Sequence, residues 1–266
     1  MNPRSRAGLL LALGAALSFS RPARADDATV ASPKIRAKAA VADAPAAGLQ
    51  PDIDVIDAPT ASVLDYGGYS SRSRFYSNGG LLEYASFGVY PGLNLGASAA
   101  VDGLIGNEKN IRARAPAAQV RYRLYDGDAS LPALAMGYDG QGYLYNMRTQ
   151  RYDERQRGFY VVATREIGIP QLQIHPSINV SDFNSNRIYG SLPLTLNIRD
   201  KASLLAEWDN IANFSNSRVN LGVRAYLTPN FEVDFAVRSV GAGGYFSDGQ
   251  RRGPERVVQL KYAGNF

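Results

Sequence analysis

The sequence predicts an all-β protein, an up-and-down antiparallel transmembrane β-barrel of about twelve strands. Three observations predict this fold class. Short segments between residues 59 and 266 alternate apolar with polar or small residues, which is the period of a strand with one apolar face. The connections between these segments are short and long in turn. The final segment ends in an aromatic residue, Phe266.

The first 25 residues have the features of a cleaved secretory signal peptide. Arg4 and Arg6 precede an apolar stretch over residues 7–19, and small residues at Ala23 and Ala25 mark a cleavage site. The apolar stretch is too short to span a bilayer easily, so a membrane anchor or a short buried helix is the weaker alternative. We therefore expect export, with the mature chain beginning after Ala25.

Composition limits the partners and cofactors of the mature chain. The sequence contains 29 basic and 24 acidic residues, and residues 1–25 hold four of the arginines and no acid, so the mature balance is 25 minus 24, or +1. This balance gives no support for a nucleic-acid partner. Because cysteine is absent, disulfides and thiolate metal sites are excluded. We find no metal-ligand cluster and no phosphate-binding loop motif, and expect no metal and no cofactor.

Residues 26–58 are rich in Ala, Pro and Asp and have no sustained period. We predict a flexible periplasmic lead-in here, followed by the barrel over residues 59–266. Within the lead-in, Ile53, Val55 and Ile56 could instead form one short strand or a plug.

The strand period is clearest in three segments, where apolar side chains occupy one face and mostly polar or small side chains the other. These segments are 172–181, 219–227 and 231–238. A soluble β-sandwich has the same period. The alternative that follows from it is a soluble periplasmic sandwich or barrel that acts as a binding protein.

The connections favour the barrel. Tight turns alternate with long loops, as in outer-membrane barrels, whose short turns face the periplasm and whose long loops face outside. The tight turns are 90–92, 126–130, 167–170, 199–201 and 228–230, and the long loops include 105–116, 146–157 and 241–253. Aromatic residues near strand ends suit the two membrane interfaces, namely Tyr90, Tyr125, Tyr143, Tyr145, Phe159, Phe183, Tyr226 and Phe231.

Three residues fit the barrel pattern less well. Pro176 and Pro193 lie within strand segments, where a proline leaves a ladder hydrogen bond unmade, so we expect a local bulge or gap. Glu83 falls on the lipid-facing alternate set. It must lie near the membrane rim, unless the register there differs from the predicted one.

The last strand carries a candidate assembly signal. Val258, Leu260, Tyr262, Gly264 and Phe266 occupy alternate positions up to the C-terminus. This pattern resembles the C-terminal strand signal of bacterial outer-membrane proteins, which the barrel assembly machinery reads. The resemblance implies insertion into the outer membrane and contact with its lipid. An ordinary amphipathic strand that ends in Phe is the alternative.

Twelve charged residues are predicted to face the lumen. They are Arg72, Arg74, Asp102, Arg121, Arg123, Glu207, Asp209, Arg224, Glu232, Asp234, Arg238 and Lys261. Opposite charges on neighbouring strands can pair across the lumen wall. A twelve-stranded lumen is intermediate in width between filled and open barrels. A narrow channel with a charged constriction and a packed, non-conducting interior are therefore both open interpretations.

The only histidine, His175, shares a strand face with Ser177. The pair resembles the His-x-Ser motif of outer-membrane phospholipase, also a twelve-stranded barrel, and implies a lipid hydrolase that uses these two residues. Two features differ from that motif, because the face is polar here and Pro176 separates the pair. A lumen histidine that is hydrogen-bonded to its neighbours is the main expectation.

The long loops contain three basic patches. Their members are Lys109, Arg112 and Arg114, then Arg148, Arg151, Arg155 and Arg157, then Arg251 and Arg252. Outward-facing arginines could bind the phosphates of lipopolysaccharide. Solvated loop charge, balanced by acidic neighbours in the loops, is the favoured alternative.

Several motifs resemble a group of poorly characterised bacterial outer-membrane barrel proteins. They are Tyr66-Gly67-Gly68-Tyr69, Arg74-Phe75-Tyr76, Leu93-Asn94-Leu95-Gly96, residues 203–209 and residues 220–224. Pro59-Thr60-Ala61 is also similar to barrels associated with exopolysaccharide secretion. The resemblance implies a barrel without enzymatic activity, either a narrow channel or an export or assembly accessory. It implies neither a solute nor an oligomeric state.

Overall fold

The computed structural model describes residues 49–266, except 107–110, 147–150, 155–156, 181–187, 213–216, 242–244 and 247. The expected signal peptide, residues 1–25, and the first part of the expected lead-in, residues 26–48, lie outside the described residues. Across the described ranges, no helix has the length and apolar character needed to cross a membrane.

Sixteen strands are present in the described residues. They are β1 (Gly68–Tyr76), β2 (Gly80–Tyr90), β3 (Leu93–Asp102), β4 (Arg112–Ala113), β5 (Ala117–Tyr125), β6 (Ala133–Asp139), β7 (Tyr143–Asn146), β8 (Arg151–Glu154), β9 (Gly158–Ile167), β10 (Ile169–Ile174), β11 (Ser177–Val180), β12 (Tyr189–Ile198), β13 (Ala202–Asp209), β14 (Arg218–Thr228), β15 (Phe231–Arg238) and β16 (Glu255–Asn265). One short 3-10 turn, Ser77–Gly79, joins β1 to β2.

The strands form a closed antiparallel barrel. Each barrel strand pairs with its neighbours in the chain, and β16 pairs with β1 from Gly68↔Asn265 to Phe75↔Val258. β10 and β11 lie in line between β9 and β12 and together make one interrupted strand. The short β4 pairs with β3, and β7 and β8 form a separate hairpin. The barrel therefore has twelve strands, which confirms the predicted fold class.

The two faces of the barrel wall differ in polarity. On β13, Ser203, Glu207 and Asp209 are buried and point inward, whereas Leu204 and Trp208 are exposed on the outside. Other exposed apolar side chains share this outward orientation, among them Phe87, Leu95, Val120, Leu124, Met136, Phe159, Val161, Ile178, Leu221, Val223, Phe235 and Val237. An outward apolar band around a polar interior is the arrangement of a barrel that spans a bilayer. A soluble sandwich buries its apolar face instead.

The two ends of the barrel have different connections. Tight turns lie at one end, called the short-turn end, where Arg199 and Asp200 take positive φ values of 52° and 56° between β12 and β13. Two successive residues of this kind make a turn whose twist suits a two-residue hairpin. The described residues of the long connections lie at the other end, called the long-loop end; they are 103–106, 111–116, 140–146, 151–154, 157, 239–241, 245–246 and 248–254. The three-residue turn between β1 and β2 is short, although it lies at the long-loop end.

The two prolines mark a weak seam in the barrel wall. The N–H of Ala163 donates to the carbonyl of Pro176 at 3.0 Å, and the N–H of His175 donates to the carbonyl of Pro193 at 2.9 Å. Neither proline has an N–H to return the hydrogen bond. The ladder is accordingly interrupted between β10 and β11, while Pro193 stays within β12. Glu83 keeps its outward register beside Ser73 near the long-loop end of β2.

The interior of the barrel holds a folded segment, residues 49–65, called here the plug. It enters at the short-turn end, where the N–H of Gln50 donates to the carbonyl of Pro229 at 3.3 Å. Its tip is a tight turn in which the N–H of Val55 donates to the carbonyl of Ala58 at 2.9 Å. The chain then returns to the short-turn end, and the N–H of Gly67 donates to the carbonyl of Gly88.

The described part of the expected lead-in, residues 49–58, belongs to the plug. Residues 49–58 lie inside the barrel, and Val55, Ile56 and Ala58 have no exposed surface. The plug alternative for Ile53, Val55 and Ile56 describes this arrangement. The physical reason is that the acidic residues of the segment find cationic partners on the lumen wall, which a period along the sequence does not reveal.

Candidate functional site

The structure brings the twelve predicted lumen residues together on the inward face. Nine of them are buried, namely Arg72, Arg74, Asp102, Glu207, Asp209, Arg224, Asp234, Arg238 and Lys261. Arg121, Arg123 and Glu232 are half-buried. Most of these side chains contact the plug or a neighbour that contacts it. The lumen is therefore organised around the plug rather than around cross-strand pairs alone.

Glu207 on β13 holds the tip of the plug. Its Oε1 atom accepts hydrogen bonds from the backbone N–H groups of Ile56, Asp57 and Ala58 at 2.6, 2.8 and 2.9 Å. Its Oε2 atom accepts a hydrogen bond from Nδ2 of Asn220 at 2.9 Å. Successive N–H groups that converge on one point form a cradle for an anion. Here the barrel wall supplies the anion and the plug supplies the cradle.

Asp57, at the tip of the plug, lies between two arginines of the wall. Its Oδ1 atom is 2.7 Å from Nη1 of Arg74, and its Oδ2 atom is 2.7 Å from Nε of Arg238. Its backbone carbonyl accepts a hydrogen bond from Arg157. Arg74 also donates to the carbonyl of Ile56. Charge-assisted hydrogen bonds of this kind are stronger than neutral ones, so the tip is held firmly.

Asp54 and Asp52 make the corresponding contacts lower on the plug. Asp54 is 2.9 Å from Nη1 of Arg72 and 2.9 Å from Nη2 of Arg121. Asp52 lies 2.6 Å from Nη1 of Arg224 and accepts a hydrogen bond from the hydroxyl of Tyr226 at 2.8 Å. Three of the plug's acids, Asp52, Asp54 and Asp57, thus meet guanidinium groups of the wall.

Arg224 is the most deeply buried of these arginines. It has no exposed surface, pairs with Asp234 at 2.8 Å, and donates to the backbone carbonyls of Asp54 and Val55. Lys261 lies 3.0 Å from Asp234 as well. A buried charge is tolerated only with such partners. The plug completes the coordination of Arg224, which the wall alone leaves unfinished.

Two small apolar clusters seal the plug against the wall. Val55 and Ile56 pack with Leu205, Ala236 and Val257. On the returning arm, Ala61 packs in a second cluster whose other members are Ala133, Ala135, Tyr160 and Val162. The N–H of Ala61 donates to Oγ1 of Thr164 at 2.8 Å. These clusters are small, so polar contacts dominate the interface between plug and wall.

The plug separates two cavities. The cavity at the long-loop end has a volume of about 320 Å³ and touches Asp54 and Asp57 of the plug. The cavity at the short-turn end has a volume of about 300 Å³ and is lined by Leu49 to Asp52, Thr60 and Ser62 of the plug. A pocket of about 60 Å³ lies beside Ile53 and Asp54. The plug therefore fills the middle of the lumen, with one cavity on each side of it.

The plug is not one of the barrel strands, and the pKa values of two of its acids are lowered. Burial alone would raise the pKa of Asp54, but the guanidinium groups of Arg121 and Arg72 outweigh burial and hold the pKa well below its ordinary value. For Asp57, burial is likewise outweighed by Arg238 and Arg74, and the pKa is lowered. Both carboxylates are therefore ionised throughout the neutral and mildly acidic range.

His175 and Ser177 do not form the catalytic pair that the resemblance implied. Nδ1 of His175 lies 3.0 Å from the hydroxyl of Thr164, and Nε2 lies 3.1 Å from the hydroxyl of Thr195. The hydroxyl of Ser177 is 2.6 Å from that of Ser191. Nucleophilic catalysis needs the serine hydroxyl within reach of the base. The geometry matches the main expectation, a lumen histidine hydrogen-bonded to its neighbours.

Asp57, Glu207 and Asp209 place carboxylate oxygens within 4.8 Å of one another. The predicted absence of a metal rested on the sequence, in which these residues are far apart. Each carboxylate has a partner, because arginines flank Asp57, three N–H groups bind Glu207, and Arg218 lies 2.9 Å from Asp209. The donor set is therefore already compensated and does not fit a resident cation.

Three loop arginines point inward, which the sequence did not indicate. Arg114 pairs with Asp102, Arg157 reaches the plug, and Arg252 is buried with its guanidinium 5.5 Å from the ring centre of Phe246. Arg112 and Arg251 are exposed. Lys109, Arg148 and Arg155 lie outside the described residues, and the side chain of Arg151 is not described. Loop residues have no period, so only their partners in the fold reveal their direction.

The candidate assembly signal lies on β16, the strand that closes the barrel. Val258, Leu260 and Tyr262 share the outward face, and Gly264 lies against Tyr69 of β1. The ring of Phe266 is 4.8 Å from that of Tyr69, and Phe266 is almost fully exposed. The terminal aromatic is thus available at the short-turn end.

Comparisons with known proteins locate similar barrels among solved structures. No family model and no curated protein matches this sequence. The chain is similar in structure to the KdgM porin, with a TM-score of 0.49 and 8% identity over 73% of this chain and 98% of that one. The NanC porin gives a TM-score of 0.40 and 9% identity over 74% and 99%. The Acinetobacter baumannii outer-membrane protein Omp33 gives a TM-score of 0.35 and 10% identity over 76% and 99%.

Proposed function

We propose that the protein is an outer-membrane channel whose narrow lumen is closed at rest by the plug. The observation that carries this proposal is the position of the plug between two cavities of about 320 and 300 Å³. Barrels of eight strands are nearly filled by side chains, and those of sixteen strands leave a channel. A twelve-stranded barrel with a removable segment in its lumen has a path through it when the segment moves.

The chemistry of the interface supports a movable plug rather than a permanent core. The main contacts of the plug are made by Asp52, Asp54 and Asp57, and each of these residues forms an ion pair with an arginine of the wall. If the plug leaves, water can solvate both the acids and the arginines that remain. An apolar interface would instead expose surface that water disfavours. The cost of opening is therefore moderated by hydration.

The orientation and export of the protein follow from the same proposal. Short turns of outer-membrane barrels face the periplasm, so the plug enters from the periplasmic side and the cavity at the long-loop end opens outside. We infer export through the signal peptide of residues 1–25 and assembly through the C-terminal strand signal. Lipopolysaccharide is a proposed partner of the exposed loop arginines Arg112 and Arg251.

Single-channel recording of the full mature chain in planar bilayers tests the channel. Wild-type protein is expected to be closed, with at most brief openings. The double variant Asp54→Asn/Asp57→Asn removes the ion pairs to Arg72, Arg121, Arg74 and Arg238, and is expected to show stable, reproducible conductance steps. Asp126→Asn, at an exposed carboxylate in a short turn, is the matched control and should behave as wild type.

Two outcomes would contradict the proposal. Stable conductance steps from wild-type protein would mean that the plug does not close the lumen. A double variant that folds but stays silent would mean that the interior is permanently filled. That second outcome would favour the accessory role in export or assembly that the resemblance implied.

A further inference from the structure

The cavity at the long-loop end is lined by an excess of guanidinium groups. Six arginines contribute to it, namely Arg72, Arg74, Arg114, Arg157, Arg238 and Arg252. Four acids line the same cavity, namely Asp54, Asp57, Asp139 and Glu255. Two of these acids belong to the plug. If the plug withdraws, the wall of the cavity keeps six arginines and only two acids.

Arg238, which lines this cavity, has a buried donor without a partner. Its Nε atom faces Asp57, and its Nη1 atom donates to Glu255 at 2.8 Å. The side chain is only 8% exposed, and its Nη2 atom is buried and has no hydrogen-bond partner among the described residues. A guanidinium has five N–H donors, and a buried donor without a partner is unfavourable. Because Nη2 is covered by protein atoms while the plug is seated, an anion oxygen can supply the missing acceptor once Asp57 has moved.

Planar guanidinium groups bind carboxylate and phosphate groups with two parallel hydrogen bonds. The volume of about 320 Å³ is in the range of small-molecule sites. Because Arg74 and Arg238 both face Asp57, an anion that recruits these arginines offers them the same interaction that Asp57 offers now. The carboxylate of the plug and the carboxylate of a solute are therefore competitors for one pair of cations.

Loss of its arginines would leave Asp57 in an unfavourable position. Its carboxylate lies within 4.8 Å of those of Glu207 and Asp209, and Arg74 and Arg238 are the cations that pair with it there. An uncompensated buried carboxylate favours movement to water.

We propose that the arginine-lined cavity binds a small solute with two or more carboxylate or phosphate groups, and that this solute displaces Asp57 from Arg74 and Arg238 and so releases the plug. This inference rests on the proposed function, since it supplies the ligand that opens the channel. The coupling is reciprocal, because a seated plug weakens the binding of the anion by the factor by which the anion weakens the plug.

The absence of cysteine from the sequence allows a direct test. Ala61 has no exposed surface, so the thiol of Ala61→Cys in the reconstituted full chain reacts with a water-soluble maleimide only when the plug moves. Citrate is the probe, with inorganic phosphate as the second anion and sodium chloride at equal ionic strength as the reference. We expect citrate to raise the labelling rate about tenfold, which corresponds to a tenfold shift in the plug equilibrium. Ile111→Cys, at an exposed loop position that does not line the cavity, should be labelled at one rate in all three salts.

Two variants identify the site. In the Ala61→Cys background, Arg238→Gln should raise the basal rate and abolish the response to citrate, whereas Arg251→Gln, at an exposed loop arginine, should change neither. If Arg238→Gln does not fold, Asp57→Asn replaces it. This variant removes the competitor and should lower the Kd of citrate about tenfold by calorimetry.

The outcomes separate the inference from the proposed function. If Asp54→Asn/Asp57→Asn conducts but citrate leaves the labelling rate of Ala61→Cys unchanged, the channel stands and the anion site is overturned. If citrate speeds labelling but the double variant stays silent, the anion site stands and the channel is overturned. Equal responses to citrate and chloride would show ionic screening only, and would also overturn the site.

Discussion

The backbone N–H of Asp57 donates a 2.8 Å hydrogen bond to Oε1 of Glu207, which lies 150 positions later in the chain. The same oxygen accepts the N–H groups of the residues on either side of Asp57. One side chain of the wall therefore fixes the whole tip of the plug. The tip also carries the carboxylate of Asp57, which contacts Arg74 and Arg238. The backbone of Asp57 thus binds an anionic side chain of the wall, and its side chain binds two cationic ones.

Replacing Glu207 by Ala should loosen the plug. Three backbone N–H groups lose their acceptor, and a buried donor without a partner costs about 1–3 kcal/mol. Partial compensation by water leaves an expected shift of at least about 1.4 kcal/mol, or tenfold. We expect the maleimide labelling rate of Ala61→Cys to rise at least about tenfold in Glu207→Ala.

Glu207→Gln is the matched control for this experiment. It retains one acceptor oxygen at the same place, so its labelling rate should lie between those of wild type and Glu207→Ala. A wild-type rate in Glu207→Ala would show that the remaining ion pairs hold the plug without Glu207.

The sequence was sufficient to predict the barrel wall. Alternation along β15 placed Glu232, Asp234 and Arg238 on one face, and that face lies inward. This success has a physical cause, because each barrel strand separates lipid from lumen and so acquires a period of two. The weak seam at Pro176 and Pro193 was also foreseeable, since a missing N–H is a property of the residue itself.

The plug and its partners could be foreseen only in part. Val55 and Ile56 are apolar residues in a polar segment, but nothing nearby in the sequence specifies Glu207 as the acceptor for the N–H of Ile56. Likewise Arg157, in a long loop, reaches the carbonyl of Asp57 across 100 positions. Contacts at such separations arise from closure of the barrel, which no local pattern encodes.

The plug should remain seated over a wide range of pH. Arginines hold the pKa values of Asp54 and Asp57 below the ordinary value for Asp, which is about 3.9. A lowered carboxylate pKa contributes stability that is fully present above the ordinary value and is lost as the pH falls through the lowered value. We therefore expect the wild-type channel to stay closed from about pH 8 to about pH 5 and to open only below about pH 3.

Bilayer recordings at these pH values test this expectation. The variant Asp54→Asn/Asp57→Asn is the control, because it lacks both groups and should conduct equally at each pH. Opening of the wild-type channel between about pH 6 and pH 5 would contradict the prediction and would point to a different titrating group.

Ester hydrolysis should not depend on Ser177. The hydroxyl of Ser177 contacts Ser191 rather than His175, and both ring nitrogens of His175 already contact threonine hydroxyls. Pure wild-type protein and Ser177→Ala are both expected to hydrolyse a chromogenic ester at the rate of the detergent blank. A clear rate in the wild type that disappears in Ser177→Ala would overturn this and revive the lipid hydrolase.

Replacing Pro176 by Val should stabilise the barrel. The carbonyl of Pro176 accepts the N–H of Ala163, but the proline ring returns no hydrogen bond. Pro176 is exposed on the lipid-facing side, where an unmade backbone hydrogen bond is more costly than in water. Valine supplies the missing N–H and a side chain that favours strands. The substitution also gives back the entropy that proline removes from the unfolded chain, which opposes this gain. We expect the net free energy of unfolding to rise by about 1 kcal/mol.

The urea midpoint of unfolding in detergent micelles measures this gain. Pro91→Val is the matched control, because Pro91 lies in the tight turn between β2 and β3, where no ladder hydrogen bond is missing, and it should give no increase. A lower midpoint for Pro176→Val would mean that the interruption between β10 and β11 is required to seat His175 between Thr164 and Thr195. In that case the interrupted strand would stabilise the arrangement of lumen side chains instead of only weakening the wall.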